Sequence, residues 1–586
     1  MRITEALRTI QKSPQDAPPY RAVLACSFTP LHLQTFFRAW LQRKLPDRNV
    51  VVTTGLYGDL NGNLGAIRAP EHHAVAVPLE WSDLDPRLGF RSAGEWGHDA
   101  IPEILENARL ALARLGADIE RLSGSLPLAV SLPTTGLPPV FHTPGWQYSE
   151  AELLLERELL DFAARLARIP GCGVLHLTRL AESSRHDARY DLKADLLTGL
   201  PYTLGHASAL GEALATLLAP PPPKKGLITD LDDTLWHGLV GEVGADQVSW
   251  DLASHQHAHG LYQKLLSALA SEGILVAAAS KNDPAIVRQA LERKDLLLSP
   301  EAIFPVEVHW EPKSGSVERI LRTWNIAADS VVFVDDSPME LAEVAAAHPG
   351  IEPVLFPKND PNQVYSMLRR VRDLFGKPRV SAEDSIRLES IRRAATSNGE
   401  ALSENGTEDF LRHADALIRF DHEIASHDPR ALELVNKTNQ FNLNGVRLTP
   451  ADWVARLAKP EAFLTVVSYQ DKFGPLGKIA VLQGRAEGEA LRIETWVMSC
   501  RAFSRRIEHQ CLRALFDHFG VEHLVFDFQS TPKNGPLQEF LARITGAQPE
   551  GAVTLERAQF NEACPALYHR TERNVSSRSW TRLQTA

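Results

Sequence analysis

GLITDLDDTLWHG, residues 226–238, joins an apolar run to an acidic one. Gly226 to Thr229 reads as a short buried strand. Asp230, Asp232 and Asp233 follow at once, then Thr234 and Trp236. Residues two apart on a strand share a face, so Asp230 and Asp232 fall together and Asp233 points away. Carboxylates grouped at a strand end repel one another and lose solvation. In a chain of formal net charge −11 that cost needs an offsetting partner.

Further segments supply complementary chemistry. Ser280, Lys281 and Asn282 stand where ILVAAAS (274–280) ends, Lys313 lies in HWEPKSG (309–315), and Asp335 and Asp336 end the strand-like part of VVFVDDSP (331–338). Parallel α/β sheets gather functional groups at the carboxyl edge of their strands. Four carboxylates at one such edge, Asp230, Asp232, Asp335 and Asp336, would need a divalent cation, and hard oxygen ligands favour Mg²⁺. Mg²⁺ and Lys313 would neutralise a phosphoryl group held by Ser280. One carboxylate can then act as nucleophile and form an aspartyl-phosphate, while a second protonates the leaving group and later activates water. Taken singly, an Asp-x-Asp is as readily a loop or a weak cation site, and Ser280 in SKNDP is as readily a helix cap.

In order, these motifs resemble the haloacid dehalogenase (HAD) superfamily. The resemblance implies Asp230 as nucleophile and Asp232 as general acid/base. Thr234 supports the motif loop, and Ser280 and Lys313, with the neighbouring Lys281 and Asn282, form the phosphate-binding set. Asp335 and Asp336 complete the Mg²⁺ site. Asp230 and Ser280 are 50 residues apart, too few for a large cap domain, so an open site is expected. LDDTLWHGLVGEVG, ASKNDP, HWEPKS, DDSPMELAEV, VNKTNQFNLN (435–444), YQDKFGPLGKIAV (469–481), VMSCRAFSRRIE (497–508) and STPKNGPLQEFL (530–541) resemble the FkbH-like branch. What that resemblance implies is a dephosphorylating acyl transfer, in which a glyceryl unit passes from 1,3-bisphosphoglycerate, a small phosphorylated acyl donor, to the phosphopantetheine arm of an acyl carrier protein in polyketide or related biosynthesis. The alternatives are a phosphatase of a small metabolite with structural outer domains, and a non-catalytic scaffold that binds carrier proteins.

The rest of the chain sets the frame. At 586 residues, 44% hydrophobic and 23% charged, it is neither disordered nor fibrous, and it is too long for one core. Pro220 to Pro223 form a stiff spacer. The expected fold class is α/β multidomain. It comprises an SGNH-hydrolase-like α/β module (1–219), a HAD Rossmann-like parallel sheet with minimal cap (224–375), a linker (376–407) and a GNAT-like α+β acyltransferase domain (408–586). RAVLACSFT (21–29), NVVVTTGLYGD (49–59) and CGVLHLTRL (172–180) read as strands of the first module. Ser27 occupies the place of an SGNH nucleophile, but no Asp stands three residues before His206, so the module is expected to be non-catalytic. Cys500 in MSCR, beside Arg501 and near Arg505 and Arg506, is the candidate thiol for carrying an acyl group; a small core residue at a strand end is the competing reading. RAFSRRIE lacks the glycines of a pyrophosphate-binding turn, leaving its arginines to grip a phosphopantetheine phosphate or an acidic carrier. Amides of KTNQFN either line that cleft or cap a turn. Five scattered cysteines, no apolar stretch of spanning length and no apolar leader at the N-terminus lead us to expect a cytoplasmic protein with no membrane partner. Mild acidity gives no reason to expect nucleic acid.

Overall fold

The computed structural model describes residues 1–69, 71–92, 96–377, 411–422, 429–472, 474–499, 502 and 505–574. Two compact units are formed, one from Met1–Pro221 with Leu448–Ala455, the other from Pro222–Arg447 with Arg456–Ala586. Residues 378–410, which include most of the expected linker, and Cys500 lie outside the described residues.

The first unit is built on a parallel sheet of β1 (Pro19–Leu24), β2 (Asn49–Thr54), β3 (Ala74–Pro78), β4 (Leu128–Ser131) and β5 (Cys172–Val174), in the order β2-β1-β3-β4-β5. Its strands are shorter than their apolar runs suggest. β1 stops at Leu24, and Asn63 takes the carbonyl of Cys26 through its side-chain amide. The same Asn63 accepts from the Leu56 amide, and Gly58 turns with φ 74°, so the chain bends away after Thr54. CGVLHLTRL divides into β5 and a helix over Leu177–Ser183.

The second unit contains a second parallel sheet: β6 (Gly226–Thr229), β7 (Leu275–Ser280), β8 (Ile303–Val308), β9 (Val331–Asp335) and β10 (Glu352–Leu355), ordered β10-β9-β6-β7-β8. The apolar runs follow from burial on both faces. Leu227, Val276, Val332 and Val334 pack with helices His257–Ser271 and Pro361–Leu374. Ile228, Leu275, Ala277 and Phe333 pack with Lys313–Trp324 and Pro338–Ala347. β6 begins on a glycine because a Cβ at Gly226 would stand 2.5 Å from the Trp324 ring. Between β6 and β7 the chain forms a four-residue helix, Val240–Val243, and the helix His257–Ser271.

The same unit contains a mixed sheet of β11 (Leu417–Asp421), β12 (Phe441–Asn442), β13 (Ala462–Asp471), β14 (Gly474–Glu487), β15 (Ala490–Met498), β16 (His523–Asp527), β17 (Ala552–Glu556) and β18 (Arg570–Asn574). Its order is β17-β16-β15-β14-β13-β11-β18, with β12 against β15; the β15–β16 and β11–β18 pairs are parallel. The α/β expectation therefore holds as two parallel sheets and one mixed sheet.

Candidate active site at the carboxyl edge of the second sheet

β6 is the central strand, and β9 and β7 are its neighbours. The ladder carries β6 into the site, with the Asp230 amide donating to the Val334 carbonyl at 2.9 Å. Asp230 thereby stands beside Asp335 at the end of β9. Lys313, the first residue of its helix, sends its ammonium between them, 2.8 Å from Asp230 Oδ1 and 2.6 Å from Asp335 Oδ2. All three side chains are buried, Asp335 completely. Two carboxylates facing one ammonium leave an excess negative charge in a poorly solvated place. Burial accordingly raises the pKa of Asp230 and of Asp335, against the opposing pull of Lys313. Burial alone would lower Lys313, but the two carboxylates prevail and hold it above its ordinary value.

Oxygens of Asp230, Asp335 and Asp336 lie within 4.8 Å of one another. Three carboxylate oxygens so placed match the donor chemistry of a hard divalent cation. The expected fourth ligand, Asp232, is not in this trio. Its Oδ1 accepts from the Trp236 indole at 2.9 Å and from the Val240 amide at 3.1 Å, and its Oδ2 accepts from the Asn282 amide at 2.9 Å. These donors hold the carboxylate to the side of the trio.

The loop carrying these groups is fixed from beneath. Asp233 adopts φ 51°, a left-handed conformation suited to a short polar side chain, and its Oδ1 accepts from the Gly238 amide at 2.9 Å. His259 Nδ1 lies 3.0 Å from the Thr234 carbonyl, and Gln263 donates to the Leu235 carbonyl at 2.8 Å. Thr234 itself is buried, its hydroxyl 3.5 Å from Asp336 Oδ1.

Ser280 ends β7, buried, and accepts from Asn282 at 3.2 Å. Asn282 thus ties Ser280 to Asp232. The cap of the following helix is Asp283, whose carboxylate accepts from Ala285 and Ile286, so Ser280 is not used as a cap. Lys281, expected with the phosphate binders, pairs with Glu340 at 2.8 Å. Lys358 is the site residue that motif reading missed. Its ammonium bridges Asp233 at 2.7 Å and Asp336 at 2.8 Å. The signal available for it was a cation just beyond an edge strand whose carboxyl end meets that of β9.

Other sequence candidates have structural partners. His206 is buried, with Nε2 2.9 Å from the Thr134 hydroxyl and Nδ1 2.9 Å from the Ser184 hydroxyl. Burial, with Arg189 and His186 nearby, lowers its pKa to about 3. Ser27 instead hydrogen-bonds the carboxyl of Asp83, whose pKa burial raises to about 6. In the mixed-sheet region Arg505 lies over the Tyr469 ring and 3.8 Å from Asp471, while Arg506 donates to the Ala566 carbonyl at 2.8 Å. Within KTNQFN, Asn439 accepts from the Arg447 guanidinium, while Asn442 serves the backbone and donates to the Thr438 carbonyl at 3.0 Å. Asn442 accepts from Asn444 and Gly445 amides, and Asn534 donates to the carbonyls of Asn442 and Gln529. Asn444 donates to the carbonyls of Glu494 and Asp527.

No family model matches the chain, and no curated protein matches it. Solved structures do. The crystal structure of the N-terminal part of BF1531 from Bacteroides fragilis, containing a phosphatase domain complexed with Mg, aligns with a TM-score of 0.51 at 20% identity, covering 65% of this chain and 100% of that one. Phospholipase A1 from Streptomyces albidoflavus NA297 aligns with a TM-score of 0.22 at 12% identity, covering 34% of this chain and 97% of that one. The first likeness shows a shared fold.

Proposed function

We propose that the chain is a Mg²⁺-dependent phosphatase-type enzyme of the HAD kind, which removes phosphate from a phosphorylated acyl donor such as 1,3-bisphosphoglycerate and passes the acyl unit to an acyl carrier protein. The observation that carries the reading is the placement of two aspartates in unlike environments at one sheet edge. Asp230 is buried against Lys313 and Asp335, and Asp232 is held aside by Trp236, Val240 and Asn282. The Mg²⁺ bound to the BF1531 structure belongs to that protein, and the carboxylate trio here suits the same ion.

Asp230 attacks the phosphorus of the donor's alcohol phosphate ester with a carboxylate oxygen, leaving the acyl phosphate intact for the later transfer. That oxygen–phosphorus bond forms as the bond to the leaving oxygen breaks, and Asp232 gives its proton to the leaving oxygen. Asp232 then takes a proton from water, which attacks the aspartyl-phosphate and restores Asp230. Lys313 and the Ser280 hydroxyl receive the phosphoryl oxygens. Asp230, Asp335 and Asp336 would hold Mg²⁺, which when bound supplies positive charge against the phosphoryl group.

Passage of the acyl unit to a carrier rests on the FkbH-like segments and on Cys500 in MSCR as its thiol: the thiolate attacks the acyl carbonyl as the bond to the acyl-phosphate oxygen breaks and phosphate leaves, and the carrier's phosphopantetheine thiol then takes the acyl group and frees Cys500. The mixed sheet would be the GNAT-like acyltransferase part, and the first unit a non-catalytic SGNH-like module. Incubation with Mg²⁺, 1,3-bisphosphoglycerate and a phosphopantetheinylated carrier, followed by intact mass spectrometry of both proteins, tests this. A glyceryl adduct on the carrier, absent in Asp230→Asn, is expected. Phosphate release without an adduct would reduce the function to a phosphatase. Loading unchanged in Cys500→Ala would remove that thiol.

A further inference from the structure

Lys358 has no place in the reaction just described, yet it is bonded to one of the three acids that gather there. It follows β10, which pairs in parallel with β9, and so reaches the edge where Asp335 and Asp336 stand. Its ammonium lies 2.8 Å from Asp336 Oδ2 and 2.7 Å from Asp233 Oδ2. Neither acid is loosely held. Asp233 is fixed by its left-handed backbone and by the Gly238 amide, and Asp336 faces the Thr234 hydroxyl with its other oxygen. Lys358 therefore bridges the motif loop after β6 and the loop after β9.

Charge decides what such a bridge does. With the site assembled, the carboxyl groups of Asp230, Asp232, Asp233, Asp335 and Asp336 face only the two ammonium groups of Lys313 and Lys358. We infer that Lys358 is an internal counter-cation, a positioning residue that keeps Asp336 and Asp233 in place before the divalent cation arrives and weakens that cation's hold once it is bound. The inference rests on the cation-binding reading of the site given above. Two effects of removing Lys358 oppose each other. Freeing one short aspartate side chain weakens cation affinity only a few-fold. Deleting a unit charge a few ångströms from a divalent ion strengthens affinity roughly tenfold even with water-like screening. The charge effect wins.

Titration of the full-length, metal-free protein with Mn²⁺, followed by electron paramagnetic resonance of the free ion with Mg²⁺ as competitor, tests this. The wild type is expected to bind one ion, and Asp335→Asn to lose that binding. Lys358→Met is expected to bind roughly tenfold more tightly, and Lys358→Arg to return to the wild-type value within a few-fold. Melting of metal-free Lys358→Met should come below wild type, with the gap closing as the cation is added. Lys358→Gln carries the same expectations and stands in if Lys358→Met does not fold. Unchanged or weaker affinity in folded variants overturns the inference while leaving the cation site intact. Absence of binding in the wild type overturns both.

Discussion

The indole of Trp236 donates to Asp232 Oδ1 at 2.9 Å, four residues along the same loop. Trp236 is completely buried, so this bond orients the carboxyl group proposed as the general acid from inside the core. Trp236→Phe keeps most of the packing and removes the donor, leaving Val240 and Asn282 on the carboxylate. A hydrogen bond to a charged group is worth about 1.5–3 kcal/mol, so kcat should fall at least about tenfold while KM stays within about twofold. Steady-state hydrolysis of a phosphate ester measures both. A change confined to KM would show that the indole does not aim the acid.

Lys313 answers two buried carboxylates at once. Lys313→Met leaves both without their counter-charge, and removing one partner of a buried pair costs about 3–5 kcal/mol. Denaturant unfolding without divalent cation should show a loss of that size. Added Mg²⁺ should recover part of it, because the ion binds only the folded form.

Much of this was legible in the sequence, and the reason is geometric. Strands buried on both faces spell themselves as apolar runs, which is why GLIT, LVAAAS and VVFVD stand out, and their ends necessarily share an edge. Asp230, Ser280, Lys313 and Asp335 follow from that rule. Lys358 does not, because a lone lysine in FPKND looks like any solvated loop until the order β10-β9-β6 brings it to Asp336. Asp232, expected beside Asp230, falls outside the carboxylate trio because strand periodicity places a side chain on a face without telling which donors will claim it. β11 and β18 escaped for another reason: LIRFD and RTERN are broken by charged residues and gain strand character only from partners distant in sequence, whereas β3 (AVAVP), also absent from the expected strands, is a buried apolar run.

The buried imidazole of His206 gives the first unit a pH dependence. Its folded pKa, about 3, lies below the ordinary 6.5, so the unfolded chain takes up a proton first as pH falls. The stability His206 contributes is complete above about pH 6.5 and should decline by about 1.4 kcal/mol per pH unit towards pH 3. Unfolding midpoints for wild type and His206→Gln should converge as the pH is lowered across that window. Parallel profiles would show that the imidazole takes up its proton as readily in the fold as in the unfolded chain.

Asn534 is completely buried and ties its own segment to Asn442. Asn534→Ala leaves the Asn442 carbonyl without that donor, and stability should fall by about 1–3 kcal/mol. Phosphate-ester turnover by the folded fraction should be unchanged. Lost turnover at full stability would instead place these amides in a binding site.

The position of β6 at the centre of its sheet also governs how the chain must be made. β6 leaves the ribosome before both strands that flank it, and β9, which supplies Asp335, comes after β7 and β8. A nascent chain ending before Val331 has β6 open along one edge, an adhesive apolar ribbon. It also has Asp230 without Asp335 or Asp336. The exposed edge of β6 and the proposed site are thus completed by one event, the arrival of a single late strand, and a polypeptide released prematurely would be sticky and lack the assembled acid cluster.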